Sequence, residues 1–200
     1  MEKYSVFKFA KQADINVGLI GAGIRESRSP LMHIKEASAQ GTKLHYQLFD
    51  LDLLDNNKNH LPGLLDAIES AGYAGLNITH PCKQSVIEFL DDLSPDARDL
   101  GAVNTVCFTD GKRFGHNTDW QGFYLSFTNT LPKVKKETVF QLGAGGAGSA
   151  VAYALAKSGV KSLHLYDLDK NKAQDLLKRL SGKFKDTSFI FTNNPASTMV

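Results

Sequence analysis

The sequence predicts an α/β protein with two successive halves, each containing a mainly parallel β-sheet. Three observations support this prediction. Apolar runs of strand length alternate with segments of helical periodicity along most of the chain. A glycine-rich segment, Gly143 to Gly148, separates a strand-like run from a helix-like run. Asp110-Gly111 lies between two short apolar runs and predicts a hairpin, the one antiparallel exception in the first half.

The predicted elements of the first half follow one another closely. A buried strand, Asn16 to Ile20, ends at a glycine pair, and Ser29 and Pro30 fit the N-cap and first position of the next helix. In chain order the remaining predictions are a helix over 30–40, a strand over 44–51, a helix over 61–71, a strand over 75–79, a helix opened by Pro81 that carries Val86, Ile87 and Leu90, hairpin strands over 105–108 and 113–115, and a helix from Asp119, capped by Thr118, to about Leu131.

The glycine-rich segment predicts a dinucleotide-binding turn. Residues 137–150 read E-T-V-F-Q-L-G-A-G-G-A-G-S-A, in which Gly143, Gly145 and Gly148 fit G-x-G-x-x-G. The first glycine allows the turn, the second lets the backbone approach a pyrophosphate, and the third lets helix and strand pack closely. An ordinary glycine-rich turn is the alternative, but the flanking strand and helix favour a Rossmann-type domain. We therefore expect the cofactor to contact Gly143, Ala144, Gly145, Gly146, Ala147 and Gly148.

An acidic residue follows at the spacing expected for ribose recognition. A second apolar strand, Ser162 to Tyr166, ends at Asp167, nineteen positions beyond Gly148 (167 minus 148). A carboxylate there can accept hydrogen bonds from the ribose hydroxyls and would repel a 2′-phosphate, so the sequence predicts NAD, with NADP less favoured. The alternative is that Asp167 or Asp169 merely caps the following helix, as we expect of Asp169.

These elements divide the chain into three predicted segments. Residues 1–118 form a substrate-binding and catalytic domain, 119–136 a connecting helix and linker, and 137–200 the N-terminal part of a dinucleotide-binding domain. After the glycine segment the sequence has room only for strand, helix, strand, helix and a third strand near 187–191. Because a complete domain of this type has six strands, we expect the second domain to be truncated.

Composition excludes several classes of function. The 200 residues are 42% hydrophobic and 22% charged with a net charge of +2, and the basic residues are spread along the chain. Nucleic acid and membrane surfaces are therefore not expected partners, while a small-molecule substrate is. The N-terminus lacks a signal-peptide pattern and no run reaches membrane-spanning length, which predicts a cytoplasmic protein. The two cysteines and the spacing of the six histidines predict no metal site.

Small polar residues follow the ends of four predicted strands or loops in the first half. The strings are S-R-S at 27–29, N-I-T-H-P-C-K at 77–83, G-A-V-N-T at 101–105 and G-H-N-T-D at 115–119. Ligands of open α/β sheets bind beyond the carboxyl ends of the strands, so these groups can converge on one ligand. Together with the glycine motif, the ordered strings resemble the shikimate dehydrogenase family, and within it the NAD-dependent quinate/shikimate dehydrogenases.

The resemblance implies a function and a set of site residues. The expected reaction is the reversible oxidation of shikimate or quinate to the 3-dehydro acid with NAD. By resemblance, Ser27 and Ser29 would bind the substrate carboxylate, Thr79, Asn104 and Asp119 would hold ring hydroxyls, and Lys83 and Asp119 would be the catalytic pair. Cys82 departs from the larger residue common in relatives, so its thiol could tune the site or make it oxidation-sensitive. By resemblance, we also expect this chain to lack the C-terminal portion that completes the cofactor domain in the family.

Several of these residues have simpler explanations. Ser29 could act only as an N-cap, and Asp119 could act only as an acidic residue in the first turn of a helix. Lys83 is less easily explained this way, because a cation near the start of the helix opened by Pro81 is disfavoured by the helix dipole. A lysine held near a carboxylate in a cleft suits proton transfer.

A regulator or sensor that keeps the fold without catalysis is the alternative function. Loss of Lys83 or Asp119 would have favoured it, and the presence of both favours the enzyme. Ser29 lacks the methyl group of a threonine and offers less apolar contact, which favours shikimate over quinate as the substrate. The sequence leaves the choice of acid and a homodimeric state open.

Overall fold

The computed structural model describes residue 4, residues 6–7, 15–54 and 60–194. Their packing separates the chain into two compact units. The first unit is formed within Met1–Leu93 and Val103–His116, and the second within Ser94–Ala102 and Asn117–Val200. The second unit therefore includes the short internal segment 94–102 and also the helix and linker predicted over 119–136.

The first unit is built on a mixed sheet whose described strands have the order β2-β1-β3-β5-β6-β4. The neighbours β1–β2, β1–β3 and β4–β6 are parallel, and β3–β5 and β5–β6 are antiparallel. The elements are β1 (Ile15–Gly21), α1 (Ser29–Ala39), β2 (Leu44–Asp50), α2 (Leu61–Ser70), β3 (Gly75–Ile78), α3 (Cys82–Ser85), β4 (Asp92–Leu93), β5 (Thr105–Thr109) and β6 (Lys112–His116).

The predicted hairpin is confirmed. Thr109 pairs with Lys112 across the two-residue turn Asp110-Gly111. Both turn residues have positive φ, 52° at Asp110 and 70° at Gly111, as a type I′ turn requires. The hairpin places the start of β5 beside the end of β3, because the two strands are antiparallel neighbours.

The second unit contains a three-stranded parallel sheet of order β7-β8-β9 within the described residues. Its core contains Leu163, Leu165, Leu176 and Leu180, and Trp120 packs against it. The elements are α4 (Pro95–Leu100), α5 (Asp119–Thr130), β7 (Thr138–Leu142), α6 (Gly146–Lys157), β8 (Ser162–Tyr166), α7 (Lys170–Lys183) and β9 (Ser188–Phe191). Alternating strands and helices predicted this arrangement, which is confirmed for this part of the chain.

Two elements were missed by the sequence analysis, β4 and α4. The helix α4 has a clear sequence signature: Ser94 accepts a hydrogen bond from the N–H of Ala97 at 3.3 Å, Pro95 follows, and Gly101 ends the helix with φ 63°. Six residues are too few for helical periodicity to show. Leu100 lies in the core of the second unit, and Trp120 donates to Asp96 at 2.6 Å, which explains why 94–102 belongs there.

Three local predictions were wrong. The segment after Pro81 is not one helix, because α3 covers only Cys82–Ser85 and is followed by a 3₁₀ turn, Val86–Phe89, which leaves Leu90 outside. Ser29 is the first residue of α1, and Arg28 occupies the N-cap position. The side chain of Thr118 does not cap α5.

No helix in the described part of the chain is long and apolar enough to cross a membrane. Across the same residues, no group of three or more His, Cys, Asp or Glu side chains is placed to hold a metal ion.

Candidate active site

One edge of the first sheet carries Thr79 and Asn104, two of the residues predicted to bind substrate. The N–H of Thr79, just after β3, donates to the carbonyl of Ile20 at 2.9 Å, and the N–H of Ile78 donates to the carbonyl of Asn104 at 2.8 Å. Asn104 directly precedes β5, so the antiparallel start of β5 and the carboxyl ends of β1 and β3 meet at this edge. A Cβ at Gly21 would lie 2.3 Å from Cγ2 of Thr79, so glycine is needed for the close approach.

Ser27 and Ser29 lie where the chain passes from β1 to α1. The N–H of Ser29 donates to Oγ of Ser27 at 3.3 Å, so Ser27 satisfies one of the free donors at the start of the helix. The structural role expected of Ser29 is thus taken by Ser27. The Ser29 side chain instead acts on the hydroxyl of Tyr46 on β2, whose pKa it lowers. Both serines are half-buried.

A chain of hydrogen bonds runs from Tyr46 to Asn104 across three strands. The hydroxyl of Tyr46 donates to Oδ1 of Asn77 at 2.7 Å, and Nδ2 of Asn77 lies 3.4 Å from Oγ1 of Thr105. Thr105 in turn donates to Oδ1 of Asn104 at 3.0 Å. The chain therefore ends at Asn104, a residue predicted to contact substrate, and fixes the orientation of its amide.

The sequence pointed to Asn77 and Thr105 only as members of two polar strings, with no role of their own, and Tyr46 was missed. The register pairs Asn77 with Thr105 on neighbouring strands, which places their side chains on the same face. Burial raises the pKa of Tyr46 to about 12, with the Ser29 hydrogen bond acting in the opposite direction. Tyr46 therefore keeps its proton and remains a donor at neutral pH. A polar residue in each of β2, β3 and β5 was the available signal, but β1 lies between β2 and β3, so bringing these residues together required the order of the strands in the sheet.

Lys83 is the second residue of α3 and is half-buried. Its backbone carbonyl accepts a 2.8 Å hydrogen bond from the N–H of Val103, which fixes α3 against the segment leading into β5. The helix-dipole argument for Lys83 is wrong, because a four-residue helix carries little macrodipole. A role for Lys83 in the site is supported instead by its position beside the edge that holds Thr79 and Asn104.

Cys82 does not fit the suggestion of a reactive thiol. The side chain is 4% exposed and burial raises its pKa to about 11. Reactive cysteines have a lowered pKa and are accessible to solvent, whereas Cys82 has a raised pKa and is buried. Its neighbour Lys83 therefore lies next to a buried, protonated thiol that acts as a small core residue.

Asp119 is the first residue of α5 and belongs to the second unit, whereas Lys83 belongs to the first. The N–H of Asp119 donates to Oδ1 of Asn117 at 3.0 Å. Asn117 is 2% exposed, and its Nδ2 donates to the carbonyl of Ala102 at 3.0 Å. Asn117, rather than Thr118, thus provides the side-chain acceptor at the start of α5 and holds Asp119 in place.

The glycine loop of the second unit has the conformation that its motif predicts. Gly143 has φ 97°, and its N–H donates to the carbonyl of Tyr166 at 2.8 Å. A Cβ at Gly148 would lie 2.2 Å from the carbonyl oxygen of Gly143, whereas a Cβ at Gly145 would meet nothing within 4 Å. The loop therefore turns at the first glycine, is open at the second and packs closely at the third, as dinucleotide binding requires.

The carboxylate of Asp167 contacts this loop directly. Its Oδ2 accepts from the N–H of Ala144 at 2.6 Å, and its Oδ1 accepts from the N–H of Asp169 at 2.7 Å. Asp169 caps α7 by accepting from Asn171 at 3.1 Å and Lys172 at 3.2 Å, which confirms the predicted cap. Asp167 has a structural role that sequence reasoning did not identify, yet each carboxylate oxygen can accept a further hydrogen bond.

The residues around the loop fit a nicotinamide dinucleotide. The first N–H groups of α6, from Gly146 onward, have no acceptor within the helix and suit a pyrophosphate. Asp167 lies at the end of β8 with acceptor capacity for a ribose. The next residue, Leu168, is 92% exposed and offers apolar surface beside it. The second unit therefore carries a donor set for phosphates, an acceptor for a ribose and an apolar surface close together.

Comparison with known proteins agrees with this chemistry. Residues 19–106 match the shikimate dehydrogenase substrate binding domain. The chain is 48% identical over 172 residues to the shikimate dehydrogenase (NADP(+)) of Pseudarthrobacter chlorophenolicus, covering 86% of the chain and 59% of that protein. It is 49% identical over 164 residues to the quinate/shikimate dehydrogenase (NAD(+)) of Corynebacterium efficiens, covering 81% of the chain and 57% of that protein.

A solved structure is also similar. The quinate dehydrogenase from Corynebacterium glutamicum in complex with NAD superposes with a TM-score of 0.79 at 43% sequence identity, covering 89% of the chain and 64% of that protein. The chain thus spans less than two thirds of the length of these three relatives.

Proposed function

Since the chain belongs to the shikimate dehydrogenase family, we propose that it takes part in the reversible oxidation of a secondary ring alcohol of shikimate or quinate. The observation that carries this proposal is the pairing, in one chain, of a polar edge holding Ser27, Ser29, Thr79 and Asn104 with an open glycine loop followed by Asp167. The first unit supplies the substrate site and the second supplies the dinucleotide site.

The polar edge suits a hydroxylated carboxylic acid. Ser27 and Ser29 offer hydroxyls at the start of α1, where backbone N–H groups also favour an anion, so they would bind the carboxylate. Thr79 and Asn104 would hold ring hydroxyls. Oδ1 of Asn104 already accepts from the hydroxyl of Thr105, which orients the side-chain amide.

Lys83 and Asp119 are proposed as the catalytic pair. A bound nicotinamide would accept the hydride from the carbon that carries the reacting hydroxyl. Lys83 would remove the hydroxyl proton through its amine, and Asp119 would orient that amine and hold a neighbouring ring hydroxyl. In the reverse direction the protonated Lys83 would return the proton to the carbonyl oxygen. The Asn117 contact that fixes the start of α5 supports a fixed position for Asp119.

NAD is proposed as the preferred form of the cofactor. Relatives named for NAD(+) and for NADP(+) are similarly close to this chain, so sequence identity does not decide between them. The negative charge of Asp167 at the end of β8 supports NAD, because a 2′-phosphate there would be repelled. The nearest basic residue along the chain, Lys170, follows a second acidic residue, Asp169.

The test is a spectrophotometric assay of NAD and NADP reduction with shikimate and with quinate. It compares the unmodified protein with Lys83→Ala and with the control Lys35→Ala, an exposed lysine on α1. We expect the unmodified protein and Lys35→Ala to reduce NAD, and Lys83→Ala to lose this activity. Binding of the dinucleotide and the acid without any reduction would instead support the non-catalytic regulator, which no relative named above favours.

A further inference from the structure

A buried glutamine on β7 holds both ends of the glycine loop. Gln141 is 7% exposed, and its Nε2 lies 2.8 Å from the carbonyl oxygen of Gly143 and 2.8 Å from that of Gly148. These carbonyls belong to the first and last glycines of the motif. One side-chain amide therefore connects the turn after β7 with the first turn of α6.

The contact with Gly143 fixes a peptide plane that Asp167 holds from its other side. The peptide joining Gly143 and Ala144 presents its carbonyl to Gln141 and its N–H to Oδ2 of Asp167, at 2.6 Å. Since a peptide unit is planar, fixing both groups sets the direction of the whole unit. Rotation of this unit would break both hydrogen bonds at once.

The contact with Gly148 acts in the same way at the start of α6. The peptide joining Gly148 and Ser149 presents its carbonyl to Gln141, and its N–H donates to the carbonyl of Gly145 at 2.8 Å. The segment between the two fixed peptides contains Gly145, where a Cβ would meet nothing within 4 Å. The loop is thus held at both ends and keeps its centre available.

We propose that Gln141 is a positioning residue for the pyrophosphate of the dinucleotide, an inference that rests on the proposed function. By holding the carbonyls of Gly143 and Gly148, it keeps two partial negative charges directed at β7 and leaves the N–H groups at the start of α6 for the phosphates. A carbonyl turned toward the pyrophosphate would repel it.

The unbalanced hydrogen bonding of Gln141 supports a role beyond stability. Within the described residues, its buried Oε1 has no hydrogen-bond partner. Burying an amide acceptor without a partner is unfavourable, and an apolar side chain of the same shape would avoid that cost. The two donor contacts to the loop give a reason for a glutamine at this position.

The experiment measures binding of ADP and of adenosine to the protein and to Gln141→Met by isothermal titration calorimetry. Methionine keeps the shape and removes both donors. We expect the Kd for ADP to rise about tenfold, as for two neutral hydrogen bonds, while that for adenosine changes less than about twofold. Adenosine binding is retained because Asp167 is still fixed by the N–H of Asp169, at 2.7 Å.

The matched control is Gln47→Met on β2. Gln47 accepts a 2.7 Å hydrogen bond from the hydroxyl of Tyr73 in the first unit, so its loss weakens the fold without touching the loop. Both ligands should bind this variant as they bind the unmodified protein. Equal Kd values for ADP in Gln141→Met and the unmodified protein would overturn the proposal, and so would equal losses for ADP and adenosine.

A measurement on the unmodified protein covers the case in which Gln141→Met does not fold. The side-chain amide resonances of Gln141, followed by ¹⁵N NMR, should shift on addition of ADP and not on addition of adenosine. Identical shifts with the two ligands would contradict the proposal. If the unmodified protein binds neither ligand, the proposed dinucleotide function itself is wrong. This outcome is distinct from ligand binding that does not depend on Gln141.

Discussion

The carboxylate of Asp167 accepts a 2.6 Å hydrogen bond from the backbone N–H of Ala144, so the residue proposed to select the ribose also holds the glycine loop. A substitution at Asp167 therefore changes two properties, the charge that faces a 2′-phosphate and the anchor of the loop. The two can be separated by choosing the substitution.

Asp167→Asn removes the charge and keeps an oxygen that can accept from Ala144. We expect the preference for NAD over NADP to narrow by about tenfold for each 1.4 kcal/mol of repulsion removed. Asp167→Ser should also relax the preference for NAD. It shortens the side chain and loses the contact with the loop, so the binding of both cofactors should weaken. The measurement is kcat/KM for each cofactor. An unchanged ratio in both variants, or an original preference for NADP, would show that Asp167 does not select the ribose.

Lys83→Ala should lower kcat by about 10²-fold or more with little change in substrate KM, the effect expected when a general acid/base is lost. Asp119→Asn should lower kcat and also raise KM, because Asp119 is proposed to hold a ring hydroxyl as well as the amine. Steady-state kinetics of the unmodified protein and the two variants measures both effects. Near-normal kcat in Lys83→Ala would remove this lysine from the mechanism.

Gly148→Ala should destabilise the second unit, because its Cβ would lie 2.2 Å from the carbonyl oxygen of Gly143. Forced overpacking of this kind costs about 1–3 kcal/mol. Gly182→Ala on α7 is the control, since a Cβ there meets nothing within 4 Å and alanine favours a helix. Urea unfolding followed by circular dichroism compares the two. Equal stability of the variants would contradict the close packing at Gly148.

Gly145→Ala separates binding from stability in the same loop. A Cβ at this position meets nothing within 4 Å, so the fold should be unaffected. The methyl group would nevertheless occupy space through which the backbone approaches the pyrophosphate, and the Kd for NAD should rise. Unchanged NAD affinity with unchanged stability would argue against the assigned role of the second glycine.

Ionisation of the buried Cys82 thiol should lower the free energy of unfolding in alkaline solution. Burial raises its pKa from an ordinary 9.0 to about 11, so the unfolded thiol ionises at a lower pH than the folded one. Between these two values the unfolded state binds fewer protons, and the free energy of unfolding therefore decreases as the pH rises. Urea unfolding between pH 8 and about 11 should show a steeper decrease than in Cys82→Ala. Identical slopes would mean that the thiol is not shielded from solvent.

Local sequence patterns determined most of the secondary structure, and they are the source of the residues proposed for the site. Alternating apolar periodicity predicted the two sheets, Asp110-Gly111 predicted the hairpin, and the glycine spacing predicted the loop before α6. These features depend on interactions between residues close in the chain, such as the positive φ of the turn residues and the steric limit at Gly148. The resemblance to a known family also depended on short strings of this kind.

Tertiary structure decided which of those residues support one another. The chain from Tyr46 through Asn77 to Thr105 requires the order of β2, β3 and β5 in the sheet, and that order follows from packing of the whole unit. The same holds for Gln141, whose neighbours in the sequence are apolar and whose partners are two loop carbonyls. A hydrogen bond between distant segments has no local signature, because its geometry exists only after the chain has closed the intervening loops.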